Sequence, residues 1–293
     1  MREVRMLKTL GLHAIGIPGR PIPDAIETAA AAGFDAITFD IREAARLADE
    51  HGVAHVRDLF FAKHIVPGSW GLPVAIRQPE QFEADLVELP KLAALAAELG
   101  CPRATTGVMP GSDDRAYDEN FAWHVERLRR VAEPLQAAGC RLGIEFIGPA
   151  TFRAPFAHPF VYTLAGVQDL ARAIGTGNVG VLLDAWHLYA SGGSVDEIDG
   201  LAADEVVVVH VNDAPAGIAR DDQVDNVRAL PLETGVLELV PFMTKLRAIG
   251  FDGPVMPEPF SQRLNDLAAT DPDAAVRATA DSMTALWQAA GLP

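Results

Sequence analysis

A closed (β/α)8 barrel, the TIM barrel, is the fold class this sequence predicts, on three observations. Short apolar, β-branched runs alternate with helix-periodic segments along the chain, the pattern of a parallel sheet covered by helices. The alternation repeats eight times, the number that closes such a barrel. No shift in composition suggests a linker, so residues 1–293 are expected to form one domain. An open doubly wound sheet is the weaker alternative, because no Gly-x-Gly-x-x-Gly turn follows the first strand.

The elements follow in order. GLHAIGI (11–17) reads as the first strand, and the alanine-rich segment 24–32, ended by Gly33, as its helix. DAITFD (35–40) is the second strand, with a helix over 42–50. VAHVRDLFF (53–61) reads as the third, followed by the loop AKHIVPGSWGLP and a long helix over 82–99. RATTGVM (103–109) is the fourth, with a helix over 120–138. RLGIEFI (141–147) is the fifth, followed by a loop with Arg153 and His158 and a helix over 164–174. VGVLLD (179–184) is the sixth, with a short helix over 194–203. EVVVVHV (205–211) is the seventh, followed by a long acidic loop and a helix over 237–249. PVMPEP (254–259) is the eighth, and 272–290 the closing helix.

Composition narrows the function classes. A hydrophobic fraction of 49% with 22% charged residues describes a soluble globular chain with a large core. Lys and Arg total 24 against 40 Asp and Glu, a formal charge of −16. Such a surface repels phosphate backbones and anionic lipid, so neither nucleic acid nor membrane is an expected partner. The two cysteines, Cys101 and Cys140, have neither metal-ligand spacing nor the number for a disulfide framework. In the opening segment Lys8 and His13 interrupt the apolar stretch and no small-residue cleavage site follows, so no signal peptide is read. No run approaches the roughly 18 apolar residues of a spanning helix. A cytoplasmic address is expected, and a homo-oligomer is left open.

In barrels of this class the chemistry sits at the C-terminal ends of the strands. Four consecutive predicted strands carry a hard-metal ligand there: Glu145, Asp184, His210 and Glu258. Neighbouring strands lie about 4.8 Å apart, so four such groups reach one ion. Without an ion, three carboxylates would repel one another and carry raised pKa values. Three carboxylates and one imidazole suit one divalent ion, Mn²⁺ or Mg²⁺, better than a structural zinc.

Around these, several residues are candidates for substrate contact. His64 and His13 end predicted strands and face the same mouth if those strands hold. Trp70 either walls a sugar ring or pins its loop. Arg220 and Arg228 either orient substrate oxygens or form solvated salt bridges. Asp213 is placed to orient His210 or a substrate hydroxyl. The segment 211–235 carries five acidic side chains against two arginines, so an unphosphorylated substrate is expected.

GIEFIGP, LLDAWHLYASGG, VVHVNDAP and DGPVMPEPF resemble the fifth- to eighth-strand motifs of the sugar phosphate isomerase/epimerase group. These are the xylose isomerase-like TIM barrels, which include ketose 3-epimerases, inosose isomerases and inosose dehydratases. The resemblance covers essentially the whole chain and is most specific between Glu145 and Phe260. It implies a divalent ion at Glu145, Asp184, His210 and Glu258, with the two glutamates on opposite sides of the substrate as acid and base. It also implies that His187, in Asp-x-x-His, contacts substrate oxygens. Two positions depart from the pattern. The ketose 3-epimerases carry a second glutamate where this chain has Thr151, and related sequences show Leu-Pro-Gly where this one has Leu230-Pro231-Leu232. Endonuclease IV-like relatives need more strand-end histidines and a basic face, which eight histidines and a charge of −16 do not supply.

The reaction expected is proton abstraction α to a carbonyl of a keto-sugar or inosose by Glu145 or Glu258, through an enediolate, giving isomerisation or epimerisation. A lyase or dehydratase reaction, β-elimination from an inosose or a 3-keto-glycoside, shares the first step and is the alternative. A non-catalytic sugar-binding barrel is the rival of a different class.

Overall fold

The computed structural model describes residues 5–293. Its eight barrel strands are β1 (Met6–Leu10), β2 (Ala36–Phe39), β3 (Val66–Gly71), β4 (Arg103–Val108), β5 (Arg141–Phe146), β6 (Val179–Asp184), β7 (Val206–Val211) and β8 (Gly253–Pro257). Each pairs in parallel with the next, and β8 closes on β1 through Gly253 opposite Met6 and Val255 opposite Lys8. The fold is therefore a (β/α)8 TIM barrel. Strand β7, Val-Val-Val-Val-His-Val, is buried at all six positions, as a strand with helices outside and a filled lumen inside requires. At the bottom of the lumen Arg103 donates to the carbonyls of Val207 (2.8 Å) and Asp252 (2.7 Å), which plugs the N-terminal end.

The outer layer contains α1 (Ile22–Ala31), α2 (Ile41–His51), α3 (Val53–Ala62), α4 (Pro79–Glu98), α5 (Tyr117–Ala137), the one-turn α6 (Ala150–Arg153), α7 (Leu164–Ile174), α8 (Ala185–Ala190), α9 (Leu239–Ala248), α10 (Gln262–Thr270) and α11 (Pro272–Ala289). Segment 194–203, expected as one helix, instead holds the 3-10 turns Val195–Gly200 and Ala203–Glu205. A short antiparallel pair, Gly111–Ser112 with His158–Pro159, joins two loops above the barrel. No described helix is long and apolar enough to cross a membrane.

Two strands differ from the sequence expectation. Segment 53–61 is helix α3, because Val53, Val56 and Phe60 recur at a spacing of three and four, with Val56 and Phe60 buried on one face. The strand lies instead in the following loop, Val-Pro-Gly-Ser-Trp-Gly, where proline and glycine hide the strand signal. Glycine is needed there: a Cβ on Gly68 would press on the Ile37 carbonyl and the side chain of Thr9. Segment 11–17 follows β1 rather than forming it, and its middle is a 3-10 turn at His13–Ile15. Lys8 and Thr9 break the apolar pattern of β1, Met-Leu-Lys-Thr-Leu, and so mask it.

Candidate active site

Four strand ends converge. Glu145 is in β5, Asp184 ends β6, His210 is opposite Asp184 in β7, and Glu258 follows β8, its N–H donating to the Val211 carbonyl. One ligand atom from each lies within 4.8 Å of every other. His210 Nδ1 is 3.4 Å from Glu145 Oε1, 3.3 Å from Glu258 Oε2 and 4.0 Å from Asp184 Oδ2.

Asp184 divides its two oxygens. Oδ1 caps α8 by accepting from the N–H groups of Trp186 (2.6 Å) and His187 (3.4 Å), while Oδ2 faces the cluster. The Asn212 amide reaches both oxygens, at 3.3 and 3.4 Å. Helix capping and ligation are thus compatible in one carboxylate.

The electrostatics are those of a site built for a cation. Burial and then Glu258 push the Glu145 carboxyl up to about 7. Burial opposes the charge on His210, yet Glu258 and Glu145 hold its pKa well above the usual histidine value. Burial also works against the Asp184 anion, but Arg228, His187 and His210 keep it well below the carboxylate range. Glu145 Oε1 and His210 Nδ1 are buried and have no hydrogen-bond partner. Two unsatisfied atoms aimed at one point, in a set of three carboxylates and an imidazole, fit a hard or borderline divalent ion.

Arg228 closes the cluster from the loop after β7. Its Nη1 donates to Asp184 Oδ2 and Glu258 Oε2, both at 2.9 Å, and its Nη2 donates to Asp225 Oδ1 at 2.9 Å. The guanidinium carbon lies 4.6 Å from the Trp186 ring centre and 5.3 Å from that of Phe260. Nη2 is also 3.0 Å from His187 Nε2, while the Gly148 N–H points at His187 Nδ1 from 3.2 Å. A neutral imidazole accepts only one of these two bonds. Burial and the Arg228 charge push His187 down to about 4, so the ring is neutral at physiological pH. Gly148 must lack a side chain, because a Cβ there would collide with the His187 carbonyl.

Of the other residues singled out in the sequence, most lie apart from the cluster. Trp70 is buried between strands and helices, its indole N–H donating to the Cys101 carbonyl at 3.0 Å. It pairs with Ala104, three residues before the Gly107 that pairs with Glu145, so it points to the opposite face of the sheet. His64 is exposed ahead of β3, at the barrel end opposite the cluster. Arg220 is exposed and pairs with Asp221 at 3.1 Å. Asp213 orients neither His210 nor a free hydroxyl position. Its carboxylate accepts four N–H groups, from Ala214, Thr234, Gly235 and Leu237, and clamps the loop that carries Arg228. His13 is exposed on the mouth side, its ring centre 6.1 Å from that of Phe260 in an edge-to-face arrangement. Thr151 donates to the Gln223 carbonyl at 2.6 Å, tying α6 to the same loop.

Sequence reasoning missed Asn212, Asp225 and Phe260. Asn212 adjoins Asp213 and Asp225 lies three residues from Arg228, and their partners are apparent only in three dimensions. Phe260 has a positive φ of 37°, a strained backbone that no pattern in the sequence signals.

Residues 4–286 match the family described as xylose isomerase-like TIM barrels, and the chain belongs to that family. A xylose isomerase domain protein from Alicyclobacillus acidocaldarius superposes with a TM-score of 0.86 at 28% identity, covering 98% of this chain and all of that one. An inosose isomerase from Bacillus velezensis is 22% identical over 265 residues, 87% of this chain and 89% of that protein. A 3-dehydroshikimate dehydratase from Pseudomonas aeruginosa is 26% identical over 251 residues, 82% of this chain but 36% of that longer protein.

Proposed function

We propose that the protein is a divalent-metal-dependent isomerase or epimerase of a keto-sugar or inosose. The observation that carries this reading is the convergence of Glu145, Asp184, His210 and Glu258 with two orphaned, buried ligand atoms. The similarity to an inosose isomerase over most of both chains supports the substrate class. Glu145, Asp184, His210 and Glu258 would hold the ion, Mn²⁺ or Mg²⁺ by donor type. Once bound, the ion supplies a Lewis acid for the negative charge that develops on the carbonyl oxygen.

The chain's own residues do the rest. Glu145 and Glu258 stand on either side of His210, so one takes the proton α to the carbonyl and the other returns one to carbon. Arg228 and the neutral His187 position substrate oxygens, Arg228 as a donor from a guanidinium that Asp225 keeps in place. The loop clamped by Asp213 holds Arg228 over the site.

Elimination is the second reading, favoured by the similarity to a dehydratase. It begins with the same proton abstraction and ends with loss of the group β to the carbonyl. Incubation in D₂O with ketoses, inososes and 3-keto-glycosides, followed by NMR, separates the outcomes. Deuterium at the α-carbon of a product that retains every oxygen is the result expected. Release of water or an aglycone with an enone product identifies a lyase. Saturable binding without solvent exchange identifies a sugar-binding barrel.

A further inference from the structure

We propose that the cavity beside the end of β4 is a subsite for an oxyanion carried by the substrate, a carboxylate or a phosphate, with Arg77 at its rim. The inference rests on the reading of the neighbouring cluster as the reacting centre. The cavity measures about 320 Å³ and is lined by Ile76, Arg77, Thr106, Gly107, His124 and Ile147 among others. Gly107 is the strand partner of Glu145, and Ile147 follows Glu145 by two residues. An arm of the substrate bound here therefore leaves from the reacting carbon on the Glu145 side.

Three guanidinium groups act on the cavity-lining His124. Among the described residues, Arg77, Arg115 and Arg127 form no ion pair within 4.0 Å. Aromatic faces hold two of them instead. The guanidinium carbons of Arg115 and Arg127 lie 4.6 and 4.8 Å from the Trp123 ring centre, and Arg127 is also 4.5 Å from that of Phe82. Arg127 further donates to the Ile76 carbonyl at 2.9 Å. The Trp123 ring is 4.7 Å from that of His124, which lines the cavity. Nearby Asp113 is engaged by the Ala157 N–H.

The buried His124 registers this field. Its Nδ1 donates to the Asn120 carbonyl at 2.8 Å. Burial first, opposed by that bond, and then the charges of Arg115, Arg77 and Arg127 bring its pKa down to about 4. By contrast, Arg228 is already matched by Asp184, Glu258 and Asp225, so it can donate to a neutral oxygen but offers no net charge to an anion. Cationic groups without carboxylate partners, beside a reacting centre, are what recognition of an oxyanion needs.

The test follows the ring signals of isotopically labelled His124 by NMR in the Mg²⁺-supplemented protein, with gluconate, inorganic phosphate and neutral sorbitol as probes. Gluconate or phosphate should shift the signals saturably, sorbitol should not, and the tighter anion identifies the group. Arg77 is exposed, so Arg77→Gln should fold normally and weaken that binding about tenfold, the size expected for one charged hydrogen bond. The same variant should lower kcat/KM for a ketose bearing a terminal carboxylate or phosphate and leave its uncharged parent unchanged. A saturable anion shift without turnover of any keto-sugar retains the subsite and removes the proposed reaction. Turnover of keto-sugars with no saturable shift of His124, or equal affinity in Arg77→Gln, overturns the subsite.

Discussion

The two halves of the barrel end their strands differently. Strands β5 to β8 end in Glu145, Asp184, His210 and Glu258, which converge, and buried Arg228 bridges Asp184 and Glu258. On the other side β1 is followed by Gly11, β3 ends in exposed Gly71, and Gly107 leaves open space near the end of β4. The end of β2 is followed by Asp40, whose carboxylate caps α2 through the N–H of Arg42 at 2.7 Å. One half concentrates charge, and the other supplies room. Polar groups that attack a substrate need a space in which it can lie, and a one-sided cluster facing small residues provides both. The same contrast separates two histidines. Two glutamates raise the pKa of His210, whereas burial and arginines lower that of His124.

The sharpest way to break this comparison is to remove charge from the reactive half. Glu145→Gln and Glu258→Gln should each lose about 10²–10⁴ in kcat at saturating metal. Full rescue of both by excess metal would leave them as ligands without acid–base roles. Next in size, Asp213→Asn tests whether a buried carboxylate outside the cluster serves structure alone. Its new NH₂ would face the N–H groups of Thr234 and Gly235, leaving buried donors unpaired, so urea unfolding should show a loss of about 3 kcal/mol. Asp184→Asn should act mainly on metal affinity.

A comparable effect is expected from His124 as a function of pH. Its folded pKa, about 4, lies below the unfolded value of about 6.5. The unfolded chain therefore takes the proton first. The contribution is fully present above pH 6.5, declines as pH falls toward 4, and amounts to about 3 kcal/mol by linkage. His124→Phe, which retains a ring against Phe160, should remove that part of the decline; an unchanged pH profile of stability would contradict the buried, neutral assignment.

The smallest effect concerns Leu232, where φ is +63°. A left-handed backbone costs a leucine roughly 1–2 kcal/mol, which offsets the contacts that Leu232→Gly would forfeit. That variant should shift unfolding by less than about 1 kcal/mol, whereas truncation of buried Leu230 to Ala should cost about 2–5 kcal/mol.

The reactive half was also the more legible. In β6 and β7 apolar runs stop at Asp184 or enclose His210, and the change of polarity marks the strand end. In the open half the signals conflict. Strand β3 is written with Pro67, Gly68 and Gly71, residues that usually mean a loop, while α3 is rich in the β-branched and aromatic residues that usually mean a strand. The period of Val53, Val56 and Phe60 would have resolved it. Leu232 is instructive in the same way. Its departure from Leu-Pro-Gly was visible in the sequence, and the structure gives it the left-handed conformation that glycine would adopt without strain. Asn212 and Asp225 were not legible, because a side chain that orients another has no spacing of its own.

The central claim is that Glu145, Asp184, His210 and Glu258 hold one ion. It is tested most directly by titrating chelator-treated protein with Mn²⁺ and counting bound ions by electron paramagnetic resonance, for the natural chain and for His210→Ala, with circular dichroism to confirm that both are folded. One ion per chain, lost or weakened at least about a hundredfold in the folded variant, is the predicted result. No bound ion in the natural chain, or undiminished binding in His210→Ala, would contradict it.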